Sequence, residues 1–491
     1  MKISRRTFLY LSGLTTLSTA TGCVPWRRNP TSNPLASAPQ AVAAMINPDV
    51  EIRLTAKTVE WELAPGKVIT AWSYNGSVPG ETIRVKEGDQ VRVLFQNKLP
   101  EPTTIHWHGI DVPNVMDGVP DLTQPAVQPD QQFVYEFAAR PAGTRWYHTH
   151  FNSVQQQDLG LSAPFIIEPA TETPSDREYT LVLDDWLIDQ TSTSSSDNQG
   201  MMGGGMGNMM DGGAMNGMMG GTGPAYDTFT INGKAHPATE PLTVKQGERV
   251  RLRLINVSNN QTFVIGLVGH RLQVTHTDGN PLQAPVAVDA VPIAPAERYD
   301  VTFVADNPGR WPLYALDPGH TAGGLKTLVV YKGFESATAA QIPGATNKLR
   351  IWSYPMGQGI DLLPSSSGRR RSYNLTLSGG MMMNPDHWTI NGKVYPNTPQ
   401  IQASRDQLVT LRLSNMSMEA HPFHLHGQSF RILRVNGRTL SAPLIKDVVD
   451  ISAHMGSVDL AFVAFNPGDW LFHCHKPMHM DGGMSMLVRV A

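Results

Sequence analysis

The sequence predicts an all-β protein built as three β-sandwich domains, and three observations carry that prediction. Short Val/Thr/Ile/Leu runs are broken by turn residues along the chain, as in "VKEGDQVRVLFQNKLP". The 491 residues exceed what one core can hold and fit three domains of ~100–200 residues. An internal repeat completes the case. "YNGSVPGETIRVKEGDQVRVLFQN" (74–97), "INGKAHPATEPLTVKQGERVRLRLIN" (231–256) and "INGKVYPNTPQIQASRDQLVTLRLSN" (390–415) share an Asn-Gly turn, a Pro, and two alternating segments ending in Asn. A second anchor recurs near the end of each copy: "AGTRWYH" (142–148), "PGRWPLY" (308–314) and "PGDWLFH" (467–473). The expected domains are 46–170, 171–340 and 345–491.

Residues 1–45 stand apart. "MKISRRTFLYLSGLTTLSTATG" has a basic head with Arg5 and Arg6, then a short apolar stretch. It reads as a twin-arginine export signal, addressed to the machinery that carries folded proteins across the cytoplasmic membrane. The stretch is shorter than the ~20 residues a span requires. Ala20-Thr21-Gly22 before Cys23 is a poor lipoprotein box, and residues 24–45 read as a Pro/Ala/Ser/Asn-rich linker. The expected destination is the periplasm. A net charge of −3 with no basic stripe excludes a nucleic-acid partner. The mature chain then keeps one cysteine, Cys474, so no internal disulfide can form in that oxidising compartment.

Aligning the copies locates the chemistry. Nine residues after the repeat Asn (97, 256, 415) come His106, Ile265 and His424; two further on come His108, Leu267 and His426. Five residues after the second-anchor Gly (143, 309, 468) come His148, Tyr314 and His473; two beyond lie His150, Leu316 and His475. The middle copy is stripped and serves as a spacer. Along a strand, residues i and i+2 share a face, so each His-x-His points both rings into one space. Eight imidazoles suit about three metal ions, since one ion takes only ~3–4 such ligands.

Cys474 sits between His473 and His475, so its side chain leaves by the opposite strand face. There it can meet His479 and His421; the other copies have Thr103 and Thr262 where the third has His421. With Met484 as a weak axial partner, two His, a thiolate and a thioether describe a blue-copper electron-transfer site. Ten of the sixteen His belong to these motifs. The other six (His236, His270, His276, His320, His387, His454) read as structural or surface groups.

"HWHG" (106–109), "WYHTH" (146–150), "HPFHLHG" (421–427) and "HCHKPMHMDGGM" (473–484) resemble the four signatures of the multicopper oxidases, over roughly residues 46–491. The likeness is strongest to bacterial three-domain members: copper efflux oxidases, copper-resistance oxidases and bacterial laccases. It implies cupredoxin-like Greek-key β-sandwich domains and four copper ions. His421, Cys474 and His479 would bind a type 1 copper, with Met484 axial. His106 and His424 would bind the type 2 copper, and His108, His148, His150, His426, His473 and His475 the type 3 pair. One-electron donors would be oxidised at type 1, and dioxygen reduced to water at the other three. Asp117, eleven residues after His106, takes the place of the acidic residue held near the cluster. It is the first candidate for proton delivery, with orientation of a ligand as the alternative. Met480 replaces the Glu that many bacterial laccases carry after the last type 1 His; Asp481, next along, is a weaker candidate for the second proton path.

The reductant is either Cu(I) or a phenol. "GMMGGGMGNMMDGGAMNGMMGG" (200–221) offers eight thioethers, soft ligands that select Cu(I), in a Gly/Asn background. Met416, Met418 and Glu419 immediately precede His421 and could hold Cu(I) beside the electron entrance. Met381, Met382, Met383 and Asp386 add a second loop of the same character. The expected protein is a monomeric periplasmic cuprous oxidase, with a phenol-oxidising laccase as the rival. A copper-binding scaffold on a degenerate oxidase fold is the third reading, and the complete ligand set argues against it.

Overall fold

The computed structural model describes residues 47–171, 174–188, 226–344, 348–381 and 384–491. The export signal with its linker and the Met-rich segment 200–221 lie outside these, as do Met382, Met383 and the side chain of Met381.

Six β-sheets pair into three sandwiches. In the first, Val50–Ala64 runs parallel to Gln90–Asn97 and antiparallel to Lys67–Tyr74. The facing sheet orders Ile83–Lys86, Ser162–Glu168, Gly143–His148 and His106–His108. The second and third sandwiches repeat this path, with Arg177–Trp186 parallel to Arg249–Asn256 and Arg370–Met381 parallel to Leu408–Asn415. Non-consecutive strand neighbours mark the Greek-key path of cupredoxin-like domains. The first sandwich has its own core, whereas the cores of the second and third form one continuous cluster that includes Trp352 of the segment between them.

The repeated asparagines have structural jobs. Asn75-Gly76, Asn232-Gly233 and Asn391-Gly392 all have positive φ, the pairing that closes a two-residue hairpin without splaying its strands. Asn97, Asn256 and Asn415 each donate an Nδ2–H across the following loop, to the carbonyls of Glu101, Gln261 and Glu419. That loop spans four residues in the outer copies and five in the middle one.

The extra residue corrects the alignment by count. Gly266, not Ile265, lies opposite Tyr314, where His106 faces His148 and His424 faces His473. Val268, not Leu267, is therefore equivalent to His108 and His426. Phe263, not Thr262, takes the place of His421: it pairs with Ile293 as His421 pairs with Ile451. The middle domain is stripped of ligands at the corrected positions too.

Short helices follow the last anchor strand in each domain: α1 (Ser153–Asp158), α2 (Pro318–Ala322) and α3 (Pro477–Asp481). Each carries one residue back toward the Thr149, Ala315 or Cys474 position.

Candidate metal centre

All eight paired imidazoles are buried, and they converge between the first and third domains. His106 stacks on His426 with ring centroids 3.9 Å apart, and His108 on His424 at 3.7 Å. Ligand nitrogens cluster as His106–His424–His426, His106–His108–His148 and His150–His426–His473. His475 belongs to none of these tight groups, but its ring centroid lies 5.1 Å from that of His108 and 5.2 Å from that of His148.

The outer nitrogens are held by the protein. His106 Nδ1 meets the Asp117 carbonyl at 2.8 Å, His148 Nδ1 the Thr149 carbonyl at 2.8 Å, and His424 Nδ1 the Asp447 carbonyl at 2.8 Å. His426 Nδ1 meets Asp117 Oδ2 at 2.8 Å, and His473 Nδ1 the Cys474 carbonyl at 2.9 Å. A neutral ring that donates through Nδ1 keeps a lone pair on Nε2. Yet Nε2 of His426 and His473 face each other at 3.0 Å, and those of His106 and His424 at 3.4 Å. His148, His150 and His475 leave Nε2 buried with no partner. His108 is reversed: Nε2 meets Asp447 Oδ1 at 3.0 Å, and its bare atom is Nδ1. Lone pairs facing lone pairs, and buried nitrogens without partners, are unfavourable unless a cation sits among them.

Burial, reinforced by neighbouring imidazoles, lowers the pKa of His108, His148, His150, His424, His426 and His475 far below the usual value. Burial lowers His473 to about 4. These rings are neutral at neutral pH, the state a metal requires.

The second cluster lies on the other side of the strand Gly468–Cys474. Cys474 Sγ is 3.5 Å from His479 Nδ1 and 3.7 Å from His421 Nδ1, and the two nitrogens are 3.0 Å apart. The outer nitrogens are again engaged, with His421 Nε2 at 2.7 Å from Ser417 Oγ and His479 Nε2 at 3.2 Å from Glu419 Oε2. Lys476 Nζ closes on the same carboxylate oxygen at 3.1 Å. Met484 is fully buried, and its carbonyl accepts from the Cys474 amide at 3.0 Å. Trp388 stacks on His479 at 3.8 Å. Burial pushes the Cys474 thiol up to about 12, so a metal arriving here must displace its proton. Two imidazoles and a thiol within reach of one another, with Met484 tied to Cys474 through the backbone, match the donor set of a blue-copper ion.

Asp117 is fully buried at the junction. Its Oδ2 takes the His426 ring and its backbone carbonyl takes His106, with Oδ1 3.2 Å from the same His106 nitrogen, so one residue orients two ligands. Gly118 permits this approach: its φ is +83°, and a Cβ would lie 1.9 Å from the Ile105 carbonyl oxygen. Asp481 is exposed and lines a cavity of about 480 Å³ together with Met480 and His150. Partial desolvation raises its carboxyl to about 6, a shift that its exposed edge moderates. Met416 and Met418 are exposed, so neither is a core residue. Asp386 is exposed as well.

Sequence reasoning missed the groups that fix the imidazoles from behind. Asp447 holds His108 and pairs with Arg298 through both oxygens at 2.6 Å. Arg145 reaches the same carboxylate at 3.4 Å, and Lys446 pairs with Asp278 and Glu297 at 3.0 Å each. Burial works against the Arg298 charge, but Asp447 and Asp278 outweigh it and raise its pKa. The signal was available in "APLIKDVVDI", where Lys446-Asp447 interrupts an apolar run that no strand face would expose.

Two groups of metal-ligating side chains joined by one strand, in three cupredoxin-like sandwiches, fit a copper-dependent oxidase. Family models described as multicopper oxidase match residues 55–172, 177–333 and 371–491, and the chain belongs to that family of oxidoreductases. It is similar to the multicopper oxidase MmcO of Mycobacterium tuberculosis, with 33% identity over 92% of each chain. A copper resistance protein A homolog of Pseudomonas syringae pv. tomato is 26% identical over 100% of this chain and 99% of its own. A solved multi-copper oxidase from Pseudomonas thermotolerans shares 29% identity at a TM-score of 0.70, covering 90% of this chain and 99% of that one.

Proposed function

We propose that this chain is a periplasmic cuprous oxidase that detoxifies copper, taking Cu(I) as its electron donor. His421, Cys474, His479 and Met484 would hold a type 1 copper; His106 and His424 a type 2 copper; and His108, His148, His150, His426, His473 and His475 a type 3 pair. Copper bound there would supply one-electron oxidation at the first site and four-electron reduction of dioxygen to water at the second. The protein's part is to position and connect. Cys474 links the two sites through the peptide bonds to His473 and His475. The His473 Nδ1–H···O=C bond to Cys474 adds a second link of 2.9 Å. Asp117, beside two cluster rings, would pass protons to the site of reduction, and Asp481 would feed protons through the cavity that reaches His150.

The observation that carries the donor assignment is at the electron entrance. Ser417 touches His421, and the residues on either side of it are the exposed thioethers of Met416 and Met418. Thioethers bind Cu(I) in preference to hard cations. The copper-resistance name of one relative agrees with this reading. The test compares dioxygen uptake with Cu(I), presented as its acetonitrile complex, and with 2,6-dimethoxyphenol, in the full chain and after deletion of 200–221. Faster turnover of Cu(I), reduced by the deletion, is expected. Faster turnover of the phenol would assign a laccase instead. Replacing Arg5 and Arg6 by Lys should leave the protein in the cytoplasm on fractionation.

A further inference from the structure

A cavity of about 1010 Å³ lies where the three sandwiches meet. Pro113 and Pro141 of the first domain, Pro281 of the second, Phe465 of the third and Leu362 of the connecting segment line it. Rigid rings and apolar side chains around a space of this size are the lining of a small-molecule site. Gly143 and Gly279 fix the joint beside it. A Cβ on Gly143 would lie 2.1 Å from the Gly279 carbonyl oxygen, so the first two domains touch backbone to backbone. The lining includes none of His421, Cys474 and His479, so the cavity is separate from the electron entrance.

The polar groups of the lining differ in what they already hold. Arg251 and Arg253 are committed to Asp300, at 2.5 and 3.1 Å. Asp111 is half-buried, and its amide donates to the Arg140 carbonyl at 2.9 Å. Among the described residues no donor meets its carboxyl group. Burial pushes that carboxyl up to about 7, and the charges of Arg145 and Arg140 do not offset the cost. A desolvated carboxyl without a hydrogen bond is a burden on folding that a ligand with a donor would lift.

We infer that this cavity binds a hydroxylated aromatic molecule, its ring between the apolar walls and its hydroxyl donating to Asp111. A planar ring suits walls made of proline and phenylalanine side chains. An ammonium head would meet Arg140, Arg251 and Arg253 in the same lining, so a neutral O–H is the better matched donor. The site does not depend on which reductant is oxidised beside His421.

4-Cyanophenol is the probe, since its electron-poor ring resists oxidation. Calorimetry on the copper-loaded full chain should show one equivalent bound, with benzonitrile, which lacks the hydroxyl, about tenfold weaker or more. Asp111→Ala should weaken 4-cyanophenol by about tenfold and leave benzonitrile unchanged. At pH 8 the same variant should melt no lower than the wild type. The carboxyl titrates at about 7 when folded and about 3.9 when unfolded, so its ionisation costs stability at that pH and the variant is spared it. Equal affinity for the two compounds, undiminished binding to Asp111→Ala, or a lowered melt in that variant overturns the site. A rise in the donor's KM with 4-cyanophenol, together with undiminished binding to the variant, places the probe at the electron entrance and overturns it too. Each of these results leaves the cuprous reading standing, since that reading is tested by the comparison of donors.

Discussion

The second and third domains fold the same backbone around opposite contents. Phe263, Ala315, His320 and Leu325 stand where the third domain has His421, Cys474, His479 and Met484. The frame is nearly identical: Ala315 donates to Leu325 at 3.1 Å and Cys474 to Met484 at 3.0 Å, while Leu325 donates to His320 at 3.0 Å and Met484 to His479 at 2.9 Å. Phe263 meets His320 edge-on at 5.2 Å, much as His421 meets His479 at 4.9 Å. The first domain fills the same place with a hydrogen-bonded trio, Thr103, Thr149 and Gln156, at 2.7–3.1 Å. The first site is satisfied by hydrogen bonds, and the middle one is packed by apolar side chains and a single imidazole, His320, whose Nδ1 has no partner. The third leaves two imidazole lone pairs and a thiol facing one another. The sandwich therefore does not need copper to form its strands; the metal is required only by the side chains placed at one end.

The largest expected effect comes from erasing that difference. Cys474→Ala installs the middle domain's residue and should abolish the thiolate-to-copper absorption and all oxidase turnover. It should lower folding stability by only about 1 kcal/mol, since one sulfur is lost from a frame that accepts Ala at 315. Absorption spectra, dioxygen uptake and thermal melts check both halves.

A pH series on metal-free protein tests the neutral imidazoles. Nine rings have lowered pKa values: the seven in the large cluster other than His106, together with His421, which burial and His479 depress, and His479, at about 4 from burial. Each depressed ring contributes stability that is fully present above the unfolded pKa of about 6.5 and lost as pH falls below it. The loss is about 1.4 kcal/mol per pH unit for each ring that the unfolded chain protonates first. Denaturant midpoints should fall steeply from pH 7 to 5 in the metal-free protein and much less in the copper-loaded one.

Asp447→Ala should cost about 3–5 kcal/mol, because Arg298 is left buried without its bidentate partner. It also frees His108, so copper should be lost from the large cluster before the blue colour fades; metal analysis and melts distinguish the steps. The smallest effect is Met484→Leu, which again installs a middle-domain residue. Stability should change by less than about 1.5 kcal/mol. The blue colour should persist, with a more positive potential in redox titration, since losing a thioether donor destabilises the oxidised ion more than the reduced one.

Much of this was legible before any coordinates. Asn-Gly and the terminal Asn of each repeat encode hydrogen bonds local to a turn, so counting residues located the domains and all twelve candidate ligands. Counting failed in the middle copy for an equally local reason: one inserted residue between Asn256 and Gln261 shifts the facing strand by one position. The groups behind the imidazoles were harder to see. Asp447, Arg298 and Arg145 come from three different domains, and no spacing in a single strand links them.

The sequence alone determined the sandwich repeat, the two-faced strand His473–Cys474–His475 and the type of metal, because strand alternation and donor chemistry are properties of adjacent residues. Only the tertiary structure decided which nitrogen of each ring faces inward, since that depends on carbonyls and carboxylates delivered by distant segments. It also decided that Asp111, Pro281 and Phe465 line one cavity, since three different domains deliver them.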